Sequence, residues 1–194
     1  MTSSRLRASL RALAFCVLGF AGPALAQATP PNAGPYVPTP HAIAERMLSL
    51  AKVGPGDYLI DLGSGDGRLV IAAVAKHRAM GAMGIELDAG LVKQAADAAS
   101  RAGVADRVRF VAGDLFAADI GQASVVTLYL LPGIMGAVEA KLRKELKPGA
   151  RVVSHDYALP TWEPVEVVTF DSPEKVAISG TAYTVLRLYR VPGI

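Results

Sequence analysis

The chain has 194 residues, of which 52% are apolar and 19% charged, which supports one sizeable hydrophobic core and excludes an intrinsically disordered protein. Its net charge of +3 comes from three arginines in the first 26 residues, because the 17 other basic residues balance the 17 acidic ones. A neutral domain lacks the clustered positive charge that nucleic-acid binding requires, and the single cysteine, Cys16, excludes intramolecular disulfides.

Residues 1–26 have the features of a secretory signal. The three arginines precede an apolar run over residues 12–21, and the following "PALAQA" fits a small-residue cleavage site. The run is well below the ~20 apolar residues of a spanning helix. We therefore expect an exported or membrane-associated protein. Since residues 1–44 contain no acidic residue, import into an organelle is an alternative, and a cytoplasmic location is another.

A proline-rich strap follows the leader over residues 27–40, "QATPPNAGPYVPTP". Proline and small residues favour an extended segment over a packed element. An amphipathic helix is predicted over residues 41–53, with Thr39 as its N-cap and Pro40 in its first position. The folded domain then covers residues 41–194.

Strand-like and helix-like segments alternate in the folded domain. Strand patterns occur in "DYLIDL", "AMGIEL", "VRFVAGDL", "ASVVTLYLL" and "ARVVSHDYA", and the helix pattern between the second and third begins at Asp88 as N-cap and ends at Gly103. Such alternation predicts βαβ units on a parallel sheet with helices on both faces. After Pro164, two strand-like runs with no good helix between them predict an antiparallel hairpin. The predicted fold class is α/β, a Rossmann-like three-layer arrangement, mostly parallel with a C-terminal antiparallel hairpin.

Three glycines lie between the first strand and the next helix, in "LIDLGSGDGRLV". Gly63, Gly65 and Gly67 offer bare backbone at a helix N-terminus on the carboxyl edge of the sheet, where ligands bind in such folds. A dinucleotide fingerprint would have its third glycine at the position of Arg68, and no Gly-Lys-Ser/Thr of a P-loop follows. The pattern therefore argues against both common phosphate-binding motifs.

Four carboxylates accompany this loop. Asp61 and Asp66 would repel a pyrophosphate and attract an ammonium. Glu86 ends the second strand, where a carboxylate accepts hydrogen bonds from both ribose hydroxyls. Asp114 ends the third strand, where it can accept from an adenine amino group while the N–H of Leu115 meets a ring nitrogen. Together they predict a site for S-adenosylmethionine, a nucleoside with an ammonium and a sulfonium; another nucleotide or an inactive pocket is the alternative.

With these motifs, the chain resembles class I S-adenosylmethionine-dependent methyltransferases over residues 54–190. More narrowly, "PYVPTP", "LIDLGSGDGRLVIAA", "GIELD", "DLF" and "LKPGARVVSHDYALPTWEP" resemble the lysine methyltransferases of the mitochondrial ATP synthase c-subunit and the adenine nucleotide carrier, with their bacterial relatives. The resemblance implies methylation of a protein lysine, with a membrane proteolipid among the candidate acceptors. It also implies that the segment from Tyr36 to Thr39 lies near the active site.

One motif departs from many amino-methylating relatives. The chain has "YLLP" at residues 129–132, where those relatives carry Asn/Asp-Pro-Pro-Tyr/Phe to hold a planar nitrogen. The departure disfavours an amide or adenine acceptor, whereas an aliphatic amine does not need that grip.

Candidate residues for the acceptor side follow the fourth and fifth strands. A lysine at pH 7 must lose a proton at a cost of roughly 4.6 kcal/mol unless the site lowers its pKa. We predict Tyr129 and Asp156 as catalytic residues, because a hydroxyl or carboxylate at the rim can carry that proton away. We predict His155, with Tyr36 and Thr39, as acceptor-binding residues, and a packed core histidine is the alternative for His155.

The predicted function is methyl transfer to a protein lysine. The alternatives are a small-molecule methyltransferase and an exported module that binds adenosine-like ligands without turnover. No metal is predicted, because the three histidines show no ligand spacing.

Overall fold

The computed structural model describes residues 36–193, so the predicted leader and most of the strap lie outside the described residues. The helices are α1 (His41–Leu50), α2 (Arg68–Ala75), α3 (Ala89–Arg101), α4 (Met135–Glu145) and α5 (Pro173–Ser179), with a 3-10 turn at Pro132–Ile134. The strands are β1 (Tyr58–Leu62), β2 (Gly81–Glu86), β3 (Val108–Ala112), β4 (Val125–Leu128), β5 (Arg151–His155), β6 (Glu166–Asp171) and β7 (Tyr183–Arg190). None of the helices within residues 36–193 has the length and hydropathy needed to cross a bilayer.

The strands form one seven-stranded sheet in the order β3-β2-β1-β4-β5-β7-β6. The first five strands in this order pair in parallel, and β7 pairs antiparallel with both β5 and β6. The predicted α/β class, mostly parallel with antiparallel C-terminal strands, is confirmed. Since the chain order reverses between β1 and β4, the carboxyl ends of these strands flank the crevice where such folds bind ligands.

Apolar side chains cover the sheet on both faces. On one face α1, α2 and α3 contribute Ile43, Met47, Leu48, Leu69, Val70, Ala73 and Ala99. On the other face α4 and the segment after β5 contribute Met135, Val138, Leu142, Leu159 and Trp162. Helices therefore lie on both faces, as the alternating pattern predicted, and the buried layers hold the strand ends in register.

The ends of α3 agree with the sequence signals. Asp88 caps the helix through Oδ1, which accepts from the N–H groups of Gly90 at 2.6 Å and Leu91 at 3.2 Å. Gly103 follows the last turn with φ +69°, a conformation that glycine adopts without steric cost.

The first helix differs from its prediction at both ends. Pro40, not Thr39, is the N-cap, and the helix ends at Leu50 before a turn through Lys52. Thr39 is buried instead, and its carbonyl oxygen accepts a hydrogen bond from Arg68 Nη1 at 2.7 Å. The predicted cap is wrong because a tertiary contact holds Thr39 outside the helix.

The connection between β6 and β7 also differs from its prediction, because it contains the short helix α5. Pro173 lies at its first position and Gly180 ends it with φ +76°. Lys175 is its buried residue, whereas the apolar Val176 and Ile178 are exposed. Hydrophobic periodicity could not reveal a helix that turns its charged residue inward and its apolar residues outward.

Candidate functional site

A cavity of about 460 Å³ opens at the carboxyl edge of the sheet beside β1 and β4. Most of the residues predicted from the sequence line it: Tyr36, Thr39, Asp61, Gly63, Gly65, Asp66, Glu86, Asp114, Leu115 and Tyr129. Gly67, His155 and Asp156 lie outside this lining. The parallel sheet thus brings together the strap, the glycine loop and three strand ends.

Asp61 is a buried carboxylate at the base of the cavity. It is 3% exposed and accepts a hydrogen bond of 2.6 Å from the hydroxyl of Thr127, its partner in the β1–β4 register. Burial raises the pKa of Asp61 to about 7; the Thr127 hydrogen bond opposes this rise, and the nearby carboxylates of Glu86 and Asp66 add to it. A cation beside Asp61 would stabilise its charged form.

The glycine loop exposes its backbone to the cavity. Gly63 and Gly65 have φ values of +79° and +52°, and a Cβ at Gly65 would overlap the ring of Tyr36. A Cβ at Gly63 would lie 2.8 Å from the side chain of Leu130. Side chains at these positions would therefore collide with the cavity wall and strap.

Gly67 serves packing instead of lining the cavity. Its φ is +78°, and a Cβ there would lie 2.5 Å from the Phe110 ring and 2.8 Å from Ala95. This glycine lets α2 begin close against α3 and β3, and thereby positions the loop.

The acids at the ends of β2 and β3 are held by backbone N–H groups. Glu86 accepts from Gly65 N at 2.9 Å through Oε2 and from Asp88 N at 3.0 Å through Oε1. Asp114 Oδ1 accepts from Phe116 N at 2.9 Å. A carboxylate has about four lone-pair positions, so both side chains keep acceptor capacity for the hydroxyl and amino groups of a ligand.

Arg68 fastens the strap to the glycine loop, a role that sequence analysis missed. Its Nε donates to the two carboxylate oxygens of Asp66 at 2.9 and 3.1 Å, while Nη1 reaches the Thr39 carbonyl. Burial favours a higher pKa for Asp66, but the hydrogen bonds and charge of Arg68 outweigh it and hold that pKa below its ordinary value. Asp66 therefore lines the cavity as part of an ion pair.

Tyr129, which lines the cavity, forms a stacked pair with His155. Their ring centroids lie 4.0 Å apart with an interplanar angle of 30°. Burial, then the charges of Asp156 and Tyr157, raise the pKa of Tyr129 to about 12, so it keeps its proton at pH 7. His155 is 1% exposed and neither ring nitrogen has a hydrogen-bond partner among the described residues. Burial lowers its pKa to about 4, with Asp156 opposing and Lys175 reinforcing that shift.

The carboxylate of Asp156 is occupied by contacts within the protein. Lys175 Nζ lies 2.9 Å from Oδ1 and 2.7 Å from Oδ2, and Arg187 donates to the Asp156 carbonyl oxygen at 2.6 Å. Asp156 also has φ +61°, a left-handed conformation that aspartate adopts more often than most non-glycine residues. These contacts fix the turn after β5, and the role of Asp156 in proton transfer stays a prediction. No local sequence pattern pointed to Lys175, because its partner lies on another element.

The lining as a whole fits a cationic nucleoside. A buried acid faces bare glycine backbone, and two anchored carboxylates stand where sugar and base donors would lie. In residues 36–193, no three His, Cys, Asp or Glu side chains are grouped as a metal ion would require.

The chain matches one known family and is similar to several known proteins. The family described as "ANTKMT methyltransferase domain" matches residues 61–166. A protein-lysine N-methyltransferase of Saccharolobus islandicus (strain REY15A) is 42% identical over 134 residues, which cover 69% of this chain and 83% of that protein. The adenine nucleotide translocase lysine N-methyltransferase of Mus musculus is 43% identical over 136 residues, 69% of this chain and 58% of that protein.

A human relative and a solved structure are also similar to this chain. The lysine N-methyltransferase of the ATP synthase c-subunit from Homo sapiens is 36% identical over 133 residues, 69% of this chain and 56% of that protein. The match thus spans less than two thirds of both mammalian relatives. A crystal structure described as an RNA methyltransferase from Salinibacter ruber with S-adenosyl-L-homocysteine matches with TM-score 0.73 and 45% identity, covering 81% of this chain and 95% of that chain.

Proposed function

The chain belongs to the ANTKMT methyltransferase-domain family, and from this premise we propose that it transfers a methyl group from S-adenosylmethionine to the amine of a protein lysine. It is a methyltransferase, and S-adenosylmethionine is its cofactor. The observation that carries the proposal is one cavity that the buried carboxylate of Asp61 and bare glycine backbone line together with Tyr129 and Leu130.

The donor end of the cavity would hold the cofactor through residues that differ in role. Asp61 would face the ammonium, Glu86 the ribose hydroxyls, and Asp114 with the Leu115 N–H the adenine. When bound, S-adenosylmethionine supplies a methyl group on a positively charged sulfur. The protein's own task is to align the amine with that methyl group and to exclude water.

The acceptor end favours an uncharged amine. Tyr129, Leu130 and the strap residue Tyr36 line it, and burial among such side chains lowers the pKa of a lysine. Because Tyr129 keeps its proton at pH 7, we propose that it orients the acceptor amine. Its oxygen can accept a hydrogen bond from an N–H of the amine and so direct the nitrogen lone pair. Since Lys175 occupies the carboxylate of Asp156, we assign Asp156 a positioning role for His155 and Tyr129. Thr39 would hold the strap in place.

The acceptor class is supported by two observations. The relatives above are described as lysine methyltransferases. The turn after β4 reads Tyr129-Leu130-Leu131-Pro132, without the side-chain amide that grips planar nitrogens. The RNA acceptor in the description of the Salinibacter structure is a second candidate, but the acids around this cavity would repel phosphates.

Labelled donor identifies the acceptor. The protein is incubated with S-adenosylmethionine carrying a labelled methyl group and with separate protein, RNA and small-molecule fractions of cells. Methyl-lysine found after acid hydrolysis of the protein fraction supports the proposal. Label confined to RNA or to small molecules contradicts it, as does donor that stays bound and unreacted.

Calorimetry with S-adenosylhomocysteine tests the donor end independently. We expect Asp61→Ala and Glu86→Ala to abolish measurable binding. Asp106→Ala is the matched control, because Asp106 is a 77% exposed side chain on the loop before β3, far from the cavity lining. Retained binding in both cavity variants would refute the assignment of these acids.

We also propose that residues 1–26 direct export or membrane association. The support is the arginine-led apolar run of these residues and the acceptors named for two relatives, an adenine nucleotide translocase and a component of ATP synthase. N-terminal sequencing of the purified protein, with cell fractionation, tests this proposal. Full-length protein in the cytosolic fraction contradicts it.

A further inference from the structure

A group of exposed apolar side chains lies at the edge of the sheet that carries the cavity. β5 and β6 both pair antiparallel with β7, so their carboxyl ends share this edge with α5 and with the start of β7. Tyr157, Val176, Ile178 and Tyr183 are exposed there by 37, 49, 37 and 57%. We name Tyr157 together with residues 171–183 the α5 ledge.

The ledge is acidic. The α5 ledge contains the acids Asp171 and Glu174 and one base, Lys175. Lys175 is buried and paired with Asp156, so it does not offset these two acids at the surface. Asp171 and Glu174 lie on the ledge, and neither belongs to an ion pair within the described part of the chain. The surface therefore combines apolar area with two acids outside the ion pairs of the described residues, beside the guanidinium of Arg46, which lies 4.0 Å from the centroid of the Phe170 ring.

A chain of contacts joins the ledge to the cavity wall. Lys175 Nζ donates to the Tyr183 carbonyl oxygen and to Asp156. Asp156 Oδ1 lies 3.5 Å from His155 Nε2, and His155 stacks on Tyr129, which lines the cavity. A partner bound on the ledge would thus lie beside the acceptor end, held at a fixed position relative to it.

We propose that the α5 ledge docks the acceptor protein by binding an apolar, basic segment that flanks the target lysine. The inference rests on the proposed lysine methyltransferase function. Exposed valine, isoleucine and tyrosine side chains supply area that becomes buried on docking. Asp171 and Glu174 complement basic residues of the acceptor and steer its approach. The same acids disfavour a phosphate-rich acceptor, so the ledge also contributes to acceptor choice.

Steady-state methylation separates docking from chemistry. The acceptor is the protein fraction that wild type labels, compared with a single lysine amide that is too small to reach the ledge. For Glu174→Lys we expect the KM of the protein acceptor to rise about fivefold, the effect of losing roughly 1 kcal/mol of rim attraction. Val176→Ser should raise the same KM without any change in charge. Methylation of the lysine amide and affinity for S-adenosylhomocysteine should stay unchanged in both variants.

Asp106→Lys is the matched control, because it reverses one exposed carboxylate away from the ledge. If KM rises equally for Asp106→Lys and Glu174→Lys, the rise depends only on the net charge of the protein and not on the ledge. That result would overturn the docking proposal. Unchanged KM in both ledge variants would overturn it as well. If the wild-type protein labels no lysine, the proposed function is overturned, and the docking proposal that rests on it is overturned as well. This outcome is seen with the wild type alone, before any variant is compared.

Discussion

Ligand binding favours the charged form of Asp61, whereas folding favours its neutral form. Its carboxyl group is buried against β4, and burial raises its pKa to about 7 from an ordinary value of 3.8. Below pH 3.8 both folded and unfolded chains hold the proton. Between pH 3.8 and 7 only the folded chain does, so the free energy of unfolding falls as the pH rises and the full loss is reached above pH 7.

Asp61→Asn should therefore stabilise the ligand-free protein at neutral pH and abolish donor binding. The amide keeps an oxygen that can accept from the Thr127 hydroxyl, and it removes a buried charge worth up to about 4 kcal/mol. Urea denaturation should show this gain at pH 8 and a gain near zero close to pH 4. Asp106→Asn, on an exposed carboxylate, should change neither quantity. A variant less stable than wild type at pH 8 would contradict the account of Asp61.

The acids at the strand ends could be predicted from the sequence, whereas the residues that form hydrogen bonds with the site could not. Asp61, Glu86 and Asp114 lie at or just beyond the carboxyl ends of strands, and a parallel sheet brings such positions to one edge whatever the details of packing. Thr127 and Arg68 act on partners 66 and 29 residues away, as Thr127 binds Asp61 and Arg68 binds the Thr39 carbonyl. No local pattern records such pairs, so their roles emerge only from the fold.

Among the elements, the start of α2 depends on a glycine that has a steric role beyond its backbone angle. Gly67 and Gly103 have similar φ values of +78° and +69°, but only Gly67 has side chains within reach of an added Cβ. Comparing alanine at the two positions therefore separates close packing from backbone strain.

Gly67→Ala should destabilise the protein more than Gly103→Ala. Both variants lose about 1 kcal/mol to the positive φ, and Gly67→Ala should lose a further 1–3 kcal/mol, roughly, because Phe110 and Ala95 must move. Urea denaturation of the two variants measures the difference. Equal losses would show that α2 does not depend on this close approach.

Arg68 ties the described end of the strap, residues 36–40, to the glycine loop, so this attachment can be tested by one substitution. Arg68→Lys replaces a planar fork, whose Nε and Nη2 both donate to Asp66, by a single ammonium that cannot make these contacts and reach Thr39 as well. We expect faster hydrogen exchange in residues 36–44 and a severalfold higher KM for the acceptor, because the strap lines the acceptor end.

Arg143→Lys is the control for this prediction. Arg143 also pairs with a carboxylate, that of Glu139 on the same helix, but lies on α4 away from the strap. Unchanged exchange of residues 36–44 in Arg68→Lys would show that other contacts hold the strap.

The elements that were mispredicted share a cause. Long alternating segments were recognised because their apolar faces are buried on the sheet, as in α3 and β1. The start of α1 and the helix α5 are decided by polar contacts, Thr39 with Arg68 and Lys175 with Asp156. Hydrophobic periodicity carries no information about such contacts.

Across the whole molecule, the charges are segregated although their total is near neutral. The cavity edge carries Asp61, Glu86, Asp114, Asp171 and Glu174, and the bases Arg68 and Lys175 at this edge are paired with acids. Helices of βαβ units run antiparallel to the strands, so the basic residues at or beyond their C-terminal ends lie at the opposite edge: Lys76, Arg78, Arg101, Lys144 and Lys147. A basic acceptor therefore meets a negative field on the catalytic side.

Salt should weaken acceptor binding far more than donor binding. The Debye length shortens from about 10 Å at 0.1 M salt to about 3 Å at 1 M, which screens the exposed acids of the catalytic edge but hardly affects the buried Asp61. We expect kcat/KM for the protein acceptor to fall about tenfold across this range, mainly through KM. The affinity for S-adenosylhomocysteine, measured by calorimetry at the same salt concentrations, should change much less. In Glu174→Lys the salt dependence of kcat/KM should be shallower than in wild type, because one attractive charge has been replaced by a repulsive one. If kcat/KM depends on salt in the same way in wild type and variant, the negative charge of the catalytic edge does not guide the acceptor. The segregated charges would then act on the binding of the donor only.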